Sequence, residues 1–375
     1  MTEEPQVRED DEQIGVEDEP VDAGISIDRP FEPERIKVRT ESRVVEQIVS
    51  RIAHGEIDLA PDFQRLRGVW DVVRKSRLIE SLLLRIPLPV FYVAADADEN
   101  WAVVDGLQRM STIDDFVAGR FKLKGLEYLT PFDDKAFTDL PRSMRRRINE
   151  SHLLIHIIDA GTPEEVMFNI FSRINTGGVR LNGQEIRHAL NKGAVREFLR
   201  DLANEESFKV ATRGTVSPQR MADRECALRF LAFRIDPWEK YSSSDLDGFL
   251  GAAMRKINAM SVSEREALRA DFNRSMWAAY DIFKGDAFRK RYHQAGRSNP
   301  VSKALFEAWS VQLARCSDSD LQILKERSDQ VREAFIQLMV TNREFDVAIS
   351  YSTGARQRVE TRFSAIQDLV RGALL

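Results

Sequence analysis

Cysteine is scarce: two in 375 residues, Cys226 and Cys316, far apart and without a CxxC pair or a neighbouring histidine cluster. That excludes a disulfide framework and a zinc site of the usual spacing. Histidine is also sparse, with His54, His152, His156, His188 and His293 making the full set, and only the last lies beyond residue 192. No apolar run approaches the roughly 20 residues needed to cross a bilayer. The start, MTEEPQVRED, is acidic where a secretory signal would be basic and then apolar. These absences lead to the expectation of a cytoplasmic protein in a reducing compartment, with no membrane partner.

What is present is ordinary globular material, 43% hydrophobic and 9% aromatic, in a chain long enough for two domains. Charge is divided unevenly. Residues 1–34 hold 13 Asp/Glu against Arg8 and Arg29, a balance of -11, leaving 53 Lys/Arg against 47 Asp/Glu, or +6, for the rest. An acidic stretch with few large apolar residues cannot offset its ordering entropy, so 1–34 reads as a disordered acidic tail. Two roles stay open for it: a solubilising tail, or an intramolecular mimic that screens a nucleic-acid surface.

Along the chain, ESRVVEQIVSRIAHG from residue 41 places Val44, Val45, Ile48, Val49 and Ile52 on one helical face that stops at Gly55. EIDLAPDFQRLRGVW reads as extended, and WDVVRKSRLIESLLLRIPLP as a helix broken by Pro87 and Pro89. PVFYVAA and WAVVDG are short β-rich runs separated by DADEN, a strand pair, and Leu107, Met110, Ile113, Phe116 and Val117 then keep helical spacing to Gly119. HLLIHIIDA is a further strand, on which His152 and His156 suit core or hydrogen-bonded roles better than metal ligation. Thr162, Pro163 and Glu165 open a helix that ends at Asn175–Gly178, and Asn182 with Glu185 caps the next, carrying Ile186 and Leu190 inward. Beyond about residue 192 every strong pattern is helical. The fold class expected is therefore α+β over residues 36–192, followed by an all-α domain over 193–375.

Three polar stretches carry chemistry. In VVDGLQRMST a strand, an Asp-Gly turn and a helix succeed one another, so the free N–H groups of the first helical turn make a potential anion site beside Asp105, Gly106, Gln108 and Arg109. The plain alternative is a capped helix with a solvated arginine. PDFQRLRGVW sets Gln64, Arg65 and Arg67 before Trp70, where an arginine stacked on the indole would be an equally good structural reading. FSRINTGGVRLNGQEIRHAL joins two helices through Arg173, Asn175, Thr176, Gly177 and Gly178, either a well-capped connection or a cradle for an anion or sugar. Basic clusters at Arg142, Arg145 and Arg146, and at Arg289, Lys290, Arg291 and Arg297 beside Tyr292 and His293, could follow a phosphate backbone or be charged helix faces.

In this order and at these separations, the three stretches resemble the amino-terminal domain of the GmrSD type IV restriction endonucleases, a ParB/sulfiredoxin-like fold, and the likeness extends into MADRECALRFLAFR at 221–234. The family's Asp-Gly-Gln-Gln-Arg signature falls on Asp105, Gly106, Leu107, Gln108 and Arg109, with Leu107 in place of the first glutamine. The resemblance implies a nucleotide-binding, NTP-hydrolysing component of a prokaryotic restriction or anti-phage defence system, using an NTP with Mg²⁺ and acting on or beside DNA. It implies catalytic roles for Asp105, Gln108 and Arg109. Nucleotide binding would fall to Gln64, Arg65, Gly106, Arg173, Asn175, Thr176 and Gly178. The HNH nuclease of two-domain relatives needs closely placed histidines that this chain lacks, so a cutting activity would come from a nuclease partner in trans. Two alternatives stand beside this: a non-catalytic DNA-binding or protein-interaction module retaining the fold, and a ParB-like DNase.

Overall fold

The computed structural model describes residues 15–17, 37–59, 70–162, 166–168, 170–171, 182–242, 245–294 and 298–375. It divides into two compact units, Arg29–Lys192 and Gly193–Leu375, the latter together with Met1–Asp28.

The first unit is α+β. Its described elements are β1 (Val38–Val44), α1 (Val45–Ala53), β2 (Ile57–Asp58), α2 (Val72–Leu83), β3 (Phe91–Ala95), β4 (Trp101–Asp105), α3 (Leu107–Val117), α4 (Arg142–Asn149), β5 (His152–Ile158) and α5 (Gly183–Leu190). The strands form one mixed sheet in the order β1-β5-β3-β4-β2. β1 runs antiparallel to β5 from Val38 opposite Ile158 to Val44 opposite His152, β5 runs parallel to β3, and β3 and β4 form the hairpin expected from the two apolar runs. Asp96 shapes that hairpin's turn, its carboxylate accepting from the amides of Asp98 at 3.0 Å and Asn100 at 2.8 Å.

The helix expected from residue 41 begins later than its pattern. Glu41–Val44 belong to β1, and the helix covers Val45–Ala53. Val44 and Val45 fit a helical face and a strand equally, and pairing with β5, more than a hundred residues away, decides between them. α2 begins at Asp71, whose carboxylate accepts from Arg74 N at 2.7 Å, and ends ahead of Pro87. Arg74 lies over the Trp70 ring at 4.5 Å, and Arg65 and Arg67 of the preceding stretch lie outside the described residues. α5 starts in the expected capping box, Asn182 and Glu185 exchanging bonds of 2.8 and 2.7 Å. Ile186 is buried as expected, and Leu190 is half-buried. The helix opened by Thr162, Pro163 and Glu165 and its end at Asn175–Gly178 lie largely outside the described residues.

Glu80 ties α2 to the loop beyond α3. Only 3% exposed, it accepts the amides of Glu127 at 3.0 Å and of Tyr128 and Leu129 at 2.8 Å. Burial pushes its carboxyl up, but those three bonds, with Arg77 nearby, more than reverse the effect and leave it below the ordinary 4.5.

The second unit is helical: α6 (Ala194–Asn204), α7 (Glu206–Ala211), α8 (Ala222–Ile235), α9 (Leu246–Ala259), α10 (Val262–Phe283), α11 (Lys303–Arg315), α12 (Asp318–Glu326), α13 (Ser328–Thr341), α14 (Arg343–Ala348) and α15 (Arg356–Leu374). α8 and α11 are buried on nearly every side, with Phe230, Phe306 and Trp309 among the fully enclosed rings. At their centre Glu307, wholly buried, holds two arginines. Arg362 on α15 approaches it through Nε at 2.8 Å and again through Nη2, and Arg229 on α8 lies at 3.3 Å while also bonding Glu225 at 2.9 Å. Both cysteines are free and buried, and burial pushes the thiol of Cys226 up to about 12 and that of Cys316 to about 11.

Of the two readings left open for the basic cluster beside Tyr292, the phosphate track does not hold for Arg289 and Lys290. Arg289 is 3% exposed and donates to the carbonyls of Asn299, Thr212 and Gly285, while Lys290 bonds Ser350 and Glu17. Arg291 pairs with Asp286 and Tyr292 with Asp346, and Arg297 lies outside the described residues. Within the acidic stretch, Val16 bridges Val301, Val301 N donates to Gly15 O at 3.0 Å, and Glu17 meets Lys290 at 2.5 Å, while the rest of residues 1–34 lies outside the described residues. A backbone pair, an apolar contact and an ion pair together outweigh the local cost of ordering. Among the described residues no helix is long and apolar enough to cross a membrane.

Two stability outcomes follow. Glu307→Leu leaves the buried Arg362 without its carboxylate, and Arg229 with Glu225, and is expected to cost about 3–5 kcal/mol in urea unfolding, a range typical of broken buried pairs; a loss under about 1 kcal/mol would show the network to be dispensable. Because the folded carboxyl of Glu80 titrates below its unfolded value, its stabilisation is complete above about pH 4.5 and is lost as pH falls through the depressed folded value. Glu80→Gln should therefore flatten the acid limb of the stability curve, and an unaltered limb in acid titration would refute the assignment.

Candidate functional site

The end of β4 and the start of α3 are built around Gly106. It sits in the left-handed region at φ 92, and a Cβ there would stand 2.4 Å from Cδ1 of Phe91. No other residue fits both conditions without strain. As the residue preceding the helix it offers no side-chain cap, and the first helical bond runs from Met110 N to Gly106 O at 2.8 Å. Among the described residues no acceptor takes the amides of Leu107, Gln108 and Arg109. Asp105 therefore does not cap α3, the alternative that its place in the sequence had left open. An uncapped N-terminus concentrates the positive end of the helix dipole, roughly half a charge, on outward-facing N–H groups.

Around that turn the named side chains separate into distinct positions. Asp105 is half-buried at the strand end and accepts from Arg109 Nη2 at 3.0 Å. Arg109 also donates to the carbonyl of Pro89 and, at 3.1 Å, to that of Val90, and its guanidinium lies 4.5 Å from the centroid of Phe91. Three of its N–H donors are thus occupied, about two remaining from the guanidinium's usual five. Burial draws Arg109 below its ordinary value, against the pull of Asp105. Gln108 is half-buried, and its Nε2 is enclosed without a hydrogen-bond partner among the described residues. Leu107 is 8% exposed and packs inward. Gln64, Arg65, Arg173, Asn175, Thr176 and Gly178 lie outside the described residues.

A cavity of about 450 Å³ opens on the flank of the same helix, lined by Asp58, Ser111, Asp114, Asp115, Arg120 and Lys192 among others. Asp114 and Asp115 pair with Arg120 at 2.7 and 2.9 Å, and Asp115 also with Lys75 at 2.8 Å. With three carboxylates in its wall the cavity does not favour phosphate, which directs an anion to the helix end instead. Among the described residues no group of three or more His, Cys, Asp or Glu is placed to hold a metal.

Residues 45–191 match the family model described as GmrSD restriction endonuclease, N-terminal domain. This region is similar to that domain. The match spans the whole turn from β4 to α3 and ends with α5, leaving the helical unit outside it. No curated protein and no solved structure gives a significant match.

Sheet register adds side chains that no linear motif marks. Thr40 is opposite His156, His156 opposite Tyr92, and Tyr92 opposite Asp105, so four strands of the sheet contribute to one transverse row, with β1 lying just ahead of the matched region. His156 is hydrogen-bonded, one of the two roles expected for it, through Nδ1 to Thr40 Oγ1 at 2.8 Å; His152 likewise meets Ser42 Oγ at 3.0 Å. On α5, Gln184, Arg187 and His188 are buried polar residues that the apolar periodicity alone did not single out.

Gly106→Ala imposes both the left-handed penalty and the contact with Phe91. A loss of more than about 1 kcal/mol in thermal or urea unfolding is expected, and a neutral substitution would show that the turn relaxes freely.

Proposed function

We propose that the chain is the nucleotide-binding, NTP-hydrolysing component of a restriction or anti-phage defence system that acts on or beside DNA. The observation that carries this reading is the uncapped start of α3, three amides without acceptors among the described residues, behind a left-handed turn that only a glycine fits. Such a terminus suits phosphate oxygens. The enclosed, unpartnered Nε2 of Gln108 beside it supports a polar ligand or water at the same place.

In this reading the amides from Leu107 to Arg109 hold phosphate, Gln108 positions the attacking water, and Asp105 orients that water or holds Mg²⁺ accompanying the nucleotide. Arg109 fixes Asp105 and contributes positive charge through its remaining donors. Gln64 and Arg65 are assigned to phosphate by their motif, and Arg173, Asn175, Thr176 and Gly178 to phosphate or sugar by theirs. A nuclease would be supplied in trans. The inward packing of Leu107 supports retained binding, because a buried side chain at this position is not one of the ligand's contacts.

The test is binding and turnover of the four NTPs with Mg²⁺, with and without DNA. Natural chain should bind at least one of them, and Asp105→Asn should keep binding within about tenfold while lowering hydrolysis by about 10²-fold or more, the scale of a lost acid–base group. Binding without turnover in the natural chain would favour the non-catalytic module instead. Absence of binding to every NTP would sink the nucleotide reading.

A further inference from the structure

The transverse row of Thr40, His156, Tyr92 and Asp105 ends on the carboxylate that the preceding reading places beside phosphate. Directly paired residues of a regular ladder project from the same face of a sheet about 5 Å apart, so hydroxyl, imidazole and phenol stand side by side, and Asp105 pairs with Tyr92 at the row's end, where the register of β3 and β4 shifts. The opposite face is closed, with Ile155 and Ile157 fully buried, whereas on this face Tyr92 and His156 are half-exposed and Leu154 is 44% exposed. The two rings lie 5.0 Å apart, tilted by 50°. Thr40 engages Nδ1 of His156 at 2.8 Å, which fixes the ring and leaves Nε2 as its other polar atom. Among the described residues neither Nε2 of His156 nor the hydroxyl of Tyr92 has a hydrogen bond. A sheet face with two fixed rings and two unengaged polar groups, continuous with an anion site, has the makings of a base-recognition surface.

We propose that Tyr92 and His156 are specificity-determining residues of the nucleotide site, Tyr92 stacking on the nucleobase and His156 meeting its edge. The inference rests on the nucleotide reading of Asp105 and the α3 amides and names where the base goes. Tyr92 is one strand spacing from Asp105 and His156 two, about 5 and 10 Å, so a ribose can bridge from phosphate to ring. A phosphate-only ligand would leave both rings unused.

The experiment compares a ribose-labelled fluorescent NTP with inorganic tripolyphosphate on the full chain and on Tyr92→Ala, Tyr92→Leu, Tyr92→Phe and His156→Ala. Tyr92→Ala and Tyr92→Leu are expected to weaken NTP binding roughly 5- to 100-fold, the measured worth of one stacked base, and to leave tripolyphosphate affinity within about twofold. Tyr92→Phe should bind NTP nearly as the natural chain does, and His156→Ala should narrow the difference in affinity between the four NTPs. Equal NTP affinity in natural chain, Tyr92→Leu and His156→Ala would overturn this inference and leave the phosphate site standing. Failure of the natural chain to bind either NTP or tripolyphosphate would overturn both, and equal loss of both ligands in Tyr92→Leu would reduce Tyr92 to a structural residue.

Discussion

The narrow gap between Gly106 and Phe91 governs the first unit. With a ring atom only 2.4 Å from where a Cβ would stand, the chain can turn from β4 into α3 at a glycine alone. Arg109 lies against the same ring and donates to the carbonyls of Pro89 and Val90, so the start of β3, the end of β4 and the first turn of α3 are fixed by one contact set. A helix start held this way needs no side-chain cap, and none is present. The arrangement leaves the amides open while keeping their geometry rigid. An anion bound there would meet donors already oriented, with little further ordering cost.

The helical unit solves a different problem with similar means. Its two innermost helices, α8 and α11, carry acidic and basic residues into the core, and Glu307 satisfies Arg362 and Arg229 there. Buried pairs of this kind contribute little net stability compared with apolar packing, but a mismatched alignment would leave charge unpaired at high cost. They therefore favour one register of α8, α11 and α15 over its neighbours. Much of the unit's basic character is consumed in the same way, since Arg289, Lys290 and Arg291 all serve internal acceptors. The mild positive balance of the sequence outside the tail is thus not by itself a nucleic-acid surface.

Local chemistry made some features legible from the residues alone. The Asp-Gly turn, the polar loop between two β-rich runs and the Asn182–Glu185 capping box each depend on neighbours within a few positions, and each appears as read. Features set by distant pairing were not legible. Glu41–Val44 join a strand because β5 is available to them, and the row from Thr40 to Asp105 exists only through three separate registers. The internal bonding of the basic cluster near Tyr292 was not legible for a related reason: charge runs show composition, while the carbonyls and carboxylates that consume them come from residues tens of positions away. Of the candidate site, Asp105, Gly106, Gln108 and Arg109 could be found from turn chemistry, whereas Tyr92 and His156 required the sheet.

The position of Arg109 bears on how such a site would manage charge. A guanidinium that spends three donors on two carbonyls and a carboxylate is poorly free to move toward a phosphate, and its burial is compensated by those bonds. In the proposed site the attraction must then come mainly from the helix amides, with Arg109 acting as a fixed charge behind Asp105. That division has a chemical consequence. The Asp105 carboxylate keeps an orientation set by Arg109, so its lone pairs are held toward whatever water or ion lies in front of the amides, and a lysine at 109 could not reproduce the fork that does this. The glutamine two residues before the arginine in the family's motif is a leucine here, and its inward packing shows that this turn can be rigid without it. The proposed site would therefore ask less of the sequence than the full signature: a glycine for the turn, an arginine to lock it, a carboxylate held by that arginine and an amide beside it.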